Sequence, residues 1–140
     1  MLKAAGACII AKDTKRILLQ QRSYTSSHPR TWGFWGGKIE KNENVSQGML
    51  REIEEEISLC ADDIIKVYPL DQYHSRDETF SYYSFVILVE KEFVPILNEE
   101  TGGYAWINYN HFPKPLHPGT RRTIFSKKKL GQIKKIIYDI

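Results

Sequence analysis

The order of apolar and polar positions along this chain predicts a mixture of strands and helices. Residues 3–11 (KAAGACIIA) and 17–21 (ILLQQ) are short apolar runs on either side of a polar turn at Lys12–Lys15, and they read as two strands. Residues 23–31 (SYTSSHPRT) are polar and contain Pro29, which predicts a loop. Trp32–Gly37 is aromatic and glycine-rich, with a short strand expected at Lys38 and Ile39. From about Val45 to Ser58 the period changes, and Met49, Leu50, Ile53 and Ile57 form an apolar stripe at helical spacing. Asn44 is the expected N-cap, and Gln47 is placed to close a capping box. Gly48 inside this helix costs roughly 1 kcal/mol relative to alanine, so close packing against neighbouring backbone is expected there.

Residues 64–74 and 79–90 have strand character, and a turn around Arg76–Glu78 predicts that they pair as a hairpin. Gly102 and Gly103 precede a further short strand, Tyr104–Asn108. Pro113, Pro115 and Pro118 predict an irregular loop. The last 20 residues place Ile124, Phe125, Leu130, Ile133, Ile136 and Ile137 among lysines, which suits one final amphipathic helix. The chain shows no repeat and no linker. Together these elements predict one mixed α/β domain over residues 1–140, with a partly antiparallel sheet.

Composition narrows the class. Apolar residues make up 41% and charged residues 26%, which excludes a disordered chain. The two cysteines, Cys8 and Cys60, form neither a metal-ligand spacing nor a disulfide framework, so a reducing, cytoplasmic setting is expected. No apolar run reaches membrane-spanning length, and no secretory leader is expected. The net charge of +3 is mild. Its late cluster (Arg121, Arg122, Lys127, Lys128, Lys129, Lys134, Lys135) reads first as a solvated helix face, and alternatively as an electrostatic guide for a polyphosphate or nucleic-acid substrate. No nucleic-acid reading motif is present, so nucleic acid is not the expected partner.

The acidic residues carry the candidate chemistry. Glu52, Glu55 and Glu56 stand at i, i+3 and i+4, on one helical face. Like charges 4 Å apart repel by about 4 kcal/mol at an effective dielectric near 20, a cost that a bound cation removes. Hard carboxylate oxygens suit Mg²⁺, with Mn²⁺ as a substitute, and point to a metal-assisted phosphate enzyme. The alternative is a surface helix held by i, i+4 ion pairs. Glu54 points away from the cluster and is expected in solvent.

The segment GKIEKNENVSQGMLREIEEEISL, residues 37–59, resembles the signature of the Nudix hydrolases. The pattern falls on Gly37, Glu43, Arg51, Glu52, Ile53, Glu55, Glu56 and Leu59, and departs at Ser58, where the family has glycine. The run TWGFWGGKIE resembles the usual approach to this box, with Trp35 where proline is most frequent; ILLQQR and ETGGYAWI resemble flanking family segments. The resemblance implies an α/β/α sandwich with a loop-helix-loop catalytic motif. It also implies hydrolysis of a nucleoside diphosphate linked to another moiety, such as a nucleoside triphosphate or nucleotide sugar. Under it, Glu52, Glu55 and Glu56 are metal ligands, and Glu56, Glu52 and Glu100 are the candidate bases. Arg51 is a further catalytic candidate, although pairing with Glu43 favours a structural role for both. Gly37 is expected where a side chain is excluded. Arg22, Trp32 and Phe34 are the expected substrate contacts, with Trp35 considered alongside them for stacking. His117 is expected to be near the pocket without a catalytic role. For Ser58, a helix end that avoids a left-handed residue is expected. The alternatives are a non-catalytic nucleotide-binding module and an isoprenoid diphosphate isomerase; neither Cys8 nor Cys60 falls where the latter needs its cysteine acid. A homodimer is left open.

Overall fold

The computed structural model describes residues 1–140. Its elements are β1 (Leu2–Ala11), β2 (Ile17–Arg22), β3 (Trp32–Gly33), β4 (Trp35–Lys38), α1 (Val45–Ile57), β5 (Ile64–His74), β6 (Phe80–Val89), β7 (Thr101–Ile107), α2 (Pro118–Ile124) and α3 (Lys127–Asp139). The strands form one mixed sheet in which β1 pairs parallel with β6, while β5 and β6 make the expected antiparallel hairpin.

Period-2 alternation divides the core between the two faces. Ala5, Ala7 and Ile9 of β1 pack with Met49, Ile53 and Ile57 of α1. Cys8 and Ile10 face the other way, towards Ile133 and Ile137 of α3. The expected α/β/α sandwich follows from these two clusters. Each strand of the centre is covered on both faces, which is why β1 reads as a continuous apolar run.

One break in the sheet positions the site. β1 and β2 are partners only at Ile9↔Leu18 and Ile10↔Ile17. Beyond that point β1 pairs with β4, from Ala7↔Trp35 to Ala4↔Lys38, and β2 pairs with β3 at Gln20↔Gly33 and Gln21↔Trp32. The two strands therefore part, and the β3–β4 segment fills the edges they leave.

Helix α1 starts as its sequence predicts. Asn44 Oδ1 accepts from the Gln47 N–H at 2.9 Å, and Gln47 Oε1 accepts from the Asn44 N–H at 2.9 Å. Gly48 sits against Ile39 and Glu43, where a methyl group would crowd both side chains.

Several expectations are corrected. Ser58 does adopt the left-handed conformation (φ 59°, ψ 26°), and its N–H closes on Glu54 O at 2.8 Å. The reversal returns the chain so that Leu59 enters the α1-side core. Pro118 does not lie in irregular structure: it opens α2, where its missing N–H loses no helical bond. The C-terminal segment is two helices, separated at Phe125 and Ser126, with the Ser126 hydroxyl capping α3 by accepting from Lys129 N–H at 3.3 Å. β7 starts at Thr101 and so includes Gly102 and Gly103, because Arg22 and Gln21 supply ladder partners. The strand expected at Lys38 and Ile39 lies earlier, at Trp35–Lys38, paired to β1.

Candidate active site

A cleft of about 610 Å³ opens where β1 and β2 part, and Gln20, Phe34, Gly36, Glu56, Glu100 and His117 contribute to its lining. Glu56 comes from the buried side of α1 and is only 7% exposed. Its Oε1 accepts from the Gly36 N–H at 2.8 Å, and its Oε2 accepts a long bond of 3.4 Å from Gln20 Nε2. Gly36 is required at this point: a Cβ there would collide with the Ala5 carbonyl of β1. The backbone of β4 can therefore lie flat on β1 and aim an N–H at the carboxylate.

Burial pushes the Glu56 pKa up to about 8, with the negative charges of Glu52 and Glu100 adding to the rise and the Gly36 N–H opposing it. Glu52 is also raised, first by burial and then by Glu55 and Glu100, against the pull of Arg51. Glu52 lies directly beneath Gly37, where any side chain would overlap its carboxylate. Glu100 stands on the turn before β7 and lines the same cleft; Glu99 does not.

Arg51 organises the other side of the acidic face. Its Nη2 donates to Glu43 Oε1 at 2.8 Å and to the Lys38 carbonyl at 2.9 Å, and its Nε donates to Glu43 Oε2 at 3.1 Å. This fork holds Glu43 below the usual carboxylate range, and Glu43 in turn accepts from the Glu40 N–H. Nη1 donates to Glu52 Oε1 and to both oxygens of Glu55, each at 3.2 Å. The three helix carboxylates thus differ: Glu56 is buried, Glu52 is half-buried and Glu55 is exposed beside Arg51. They are not gathered within reach of a single ion. Glu54 faces solvent, as its helix phase predicts.

The residues nevertheless fit a divalent cation by the chemistry of the donors. A buried carboxyl with two neutral donors, beside Glu52 and Glu100, has no cation of the chain to balance its ionised form and keeps a proton that a divalent ion can replace. Its oxygens are the hard ligands that Mg²⁺ and Mn²⁺ take.

The remaining expected contacts divide. Arg22 lines the cleft, with its guanidinium donating to Ser27 O at 2.7 Å and Ser27 Oγ at 2.9 Å. Phe34 lines it too. Trp32 packs against the α3-side core instead and is not part of the lining. Trp35 is fully buried and donates its indole N–H to Leu18 O at 3.0 Å, so it is unavailable for stacking.

Sequence reasoning missed several lining residues. Gln20 bridges Glu56 and the Phe34 carbonyl, and accepts from Thr101 Oγ1 at 3.2 Å; its signal was a polar residue inside the apolar run ILLQQ. His117 also does more than expected. Its Nδ1 accepts from the Gly119 N–H at 3.1 Å, which leaves the proton on Nε2. Burial, then Arg22 and His28, lower its pKa to about 4, so the ring is neutral near pH 7. Arg122 and Lys129 of the basic cluster reach the cleft, which the reading of a solvated face did not predict. Lys129 pairs with Asp71 at 2.5 Å, and Arg122 lies over the Tyr73 ring at 4.6 Å.

Comparison with known proteins gives the family. The CTP pyrophosphohydrolase of Escherichia coli is 44% identical over 55 residues, covering 39% of this chain and 40% of that protein. The dihydroneopterin triphosphate diphosphatase of Haemophilus influenzae is 29% identical over 119 residues, covering 71% of this chain and 70% of that one. The chain therefore spans less than half the length of the first of these relatives. Among solved structures, a Nudix hydrolase from M. smegmatis, RenU, superposes with a TM-score of 0.77 at 20% identity, covering 99% of this chain and 86% of that one, a likeness of fold. The family model described as the NUDIX domain matches residues 1–126, and the chain belongs to the Nudix hydrolase family.

Proposed function

We propose that this chain is a divalent-metal-dependent pyrophosphohydrolase that cleaves a nucleoside diphosphate linked to another moiety, such as a nucleoside triphosphate or nucleotide sugar. The observation that carries this reading is Glu56, a buried carboxylate at the floor of the cleft whose only hydrogen-bond donors are neutral. Named activities of the relatives, on CTP and on dihydroneopterin triphosphate, support the same class of bond.

In this reading Glu52, Glu55 and Glu56 hold the ion, Mg²⁺ by preference. When bound, the ion neutralises phosphate charge and acidifies a water molecule. The chain's own residues do the rest. The Gly36 N–H fixes one oxygen of Glu56. Arg51, anchored on Glu43, holds Glu52 and Glu55 on their face of α1, and exposed Glu55 reaches the ion by exchanging its Arg51 bonds for the metal. Glu100 lines the cleft from the loop before β7 and is assigned the general base, with Glu56 of the same lining and Glu52, beneath Gly37, as the other candidates. Arg22 supplies positive charge for the phosphate chain, and Phe34 an apolar surface for the nucleoside. The whole is one Nudix domain acting in the cytoplasm.

A second reading, a nucleotide-binding module without turnover, rests on one feature: Arg51 Nη1 already neutralises oxygens of Glu52 and Glu55. A single experiment separates the two. Phosphate and pyrophosphate release is measured over a panel of nucleoside triphosphates and nucleotide sugars, with Mg²⁺ or Mn²⁺. Release that requires the metal and disappears in Glu56→Gln supports the enzyme. Binding of the same nucleotides by calorimetry with no release supports the module.

A further inference from the structure

The cleft floor carries one polar group that neither the fold nor the acidic cluster uses. Tyr82 lines the cleft from β6, on the same face as Val86 and Leu88. Its phenol lies over Gly6 of β1, so closely that a Cβ at Gly6 would overlap Tyr82 Oη. Glycine in the middle of a fully paired strand weakens the strand. Here it makes room for this ring. Burial and the nearby Glu56 carboxylate raise the Tyr82 pKa to about 12, and no hydrogen bond within the chain contributes. The hydroxyl therefore keeps its proton and has no partner in the protein. The residue is half-buried and its hydroxyl is not sealed from the cleft, so a bound ligand can supply that partner.

The register of the sheet shows which groups share the cleft floor with it. Gly36 is opposite Gly6, Gly6 is opposite Ser84, and Ser84 is opposite Asp71. This is one row across four strands, about 14 Å long at about 4.8 Å per strand. Glu56 stands at its first position, bonded to Gly36; the Tyr82 hydroxyl covers the second; Ser84 is the third; and Asp71, paired with Lys129, is the fourth. A nucleoside diphosphate has the same order of parts: phosphates, then pentose, then base. Laid along the row with its phosphates at Glu56, it brings the pentose against the phenol.

We propose that Tyr82 is a specificity-determining residue whose hydroxyl hydrogen-bonds a pentose hydroxyl of the substrate. Gly6 is the residue that lets it do so. This inference rests on the nucleoside diphosphate reading above, and Tyr82 takes no part in the chemistry of the anhydride.

The test is kcat/KM of the wild type and Tyr82→Phe on a ribonucleoside triphosphate and on its 2′-deoxy and 2′,3′-dideoxy forms, with Mg²⁺. The expected result is a loss of about tenfold in Tyr82→Phe on the ribonucleotide, shrinking to none on the dideoxynucleotide. The melting temperature is expected to be unchanged, since the deleted oxygen has no partner in the chain. Gly6→Ala, which displaces the ring, is expected to flatten the same preference with the hydroxyl still present. An equal loss on all three substrates, or no loss on any, overturns the assignment. If the wild type hydrolyses none of the three, the pyrophosphohydrolase reading fails, and calorimetric Kd ratios for the same nucleotides then decide the role of Tyr82 on the same criterion. Absence of binding overturns both.

Discussion

The Gly36 N–H donates to Glu56 Oε1 at 2.8 Å, joining strand β4 to the most buried carboxylate of the cleft. The bond exists because β4 lies on β1 without side chains at Gly36 and Gly6, and because α1 is packed so that Glu56, one position before core residue Ile57, turns inward. A carboxylate fixed in this way keeps its direction while lacking a counter-charge.

Glu56→Gln keeps the shape and, through its amide oxygen, the bond from the Gly36 N–H, but removes the charge. Turnover of any nucleotide substrate is expected to fall by a factor of roughly 10³, in the range seen when a single electrostatic group is lost from an active site. The fold is expected to survive. Steady-state kinetics beside circular dichroism check both halves. Glu54→Gln is the control: it lies in solvent on the opposite side of α1, and its kinetics are expected to match the wild type.

Metal-free protein is expected to lose stability as pH rises. The folded pKa of Glu56, about 8, stands above its ordinary value of 4.5. A carboxyl raised on folding stabilises fully below its ordinary pKa, and that contribution is lost as pH climbs through the folded value. Melting temperatures in EDTA are therefore expected to fall between about pH 4.5 and pH 8 in the wild type, relative to Glu56→Gln. The size is on the order of a few kcal/mol. Excess Mg²⁺ is expected to reverse the trend by favouring the ionised form.

Arg51→Lys tests positioning. Lysine keeps the charge but loses the fork that bonds Glu43, the Lys38 carbonyl and Glu52 together. Stability is expected to drop by about 1–2 kcal/mol, measured by denaturant unfolding. Because Arg51 acts by holding the acidic face, kcat is expected to fall more than KM rises, and the requirement for Mg²⁺ is expected to shift to higher concentration.

Ser58→Gly relieves a left-handed residue. A side chain at φ 59° costs about 1–2 kcal/mol, and glycine gives back part of that through its freer unfolded state. A net gain of about 0.5–1 kcal/mol is expected in the unfolding free energy, with kinetics unchanged.

The sequence made α1 legible because its cap, stripe and acidic spacing all agree over one short segment. Asn44, Gln47, Glu43 and Arg51 each occupy the place their chemistry predicts. The family followed from the same segment. What the sequence could not show is what depends on pairing between distant strands. Trp35 looked as available for stacking as Phe34, and only the β1–β4 ladder shows that one ring enters the core while the other lines the cleft. Tyr82 and Asp71 read like other strand residues; only the register, which sets Asp71 opposite Ser84 and Ser84 opposite Gly6, and the Tyr82 ring lying over Gly6 bring them to one cleft floor. Pro118 follows Pro113 and Pro115 closely and so reads as loop; its place at a first helical turn, where no N–H is needed, depends on α2 forming behind it. Ser58 shows the reverse case, in which a local preference against left-handed serine yielded to the burial of Leu59.

Every step proposed for this site needs a divalent ion held by the carboxylates around Glu56. Titration of the metal-free protein with Mn²⁺, followed by electron paramagnetic resonance of the free ion, measures this without any substrate. Saturable binding is expected in the wild type, weakened at least tenfold in Glu56→Gln and intact in Glu54→Gln. Equal Mn²⁺ affinity in all three proteins, or none in the wild type, contradicts it.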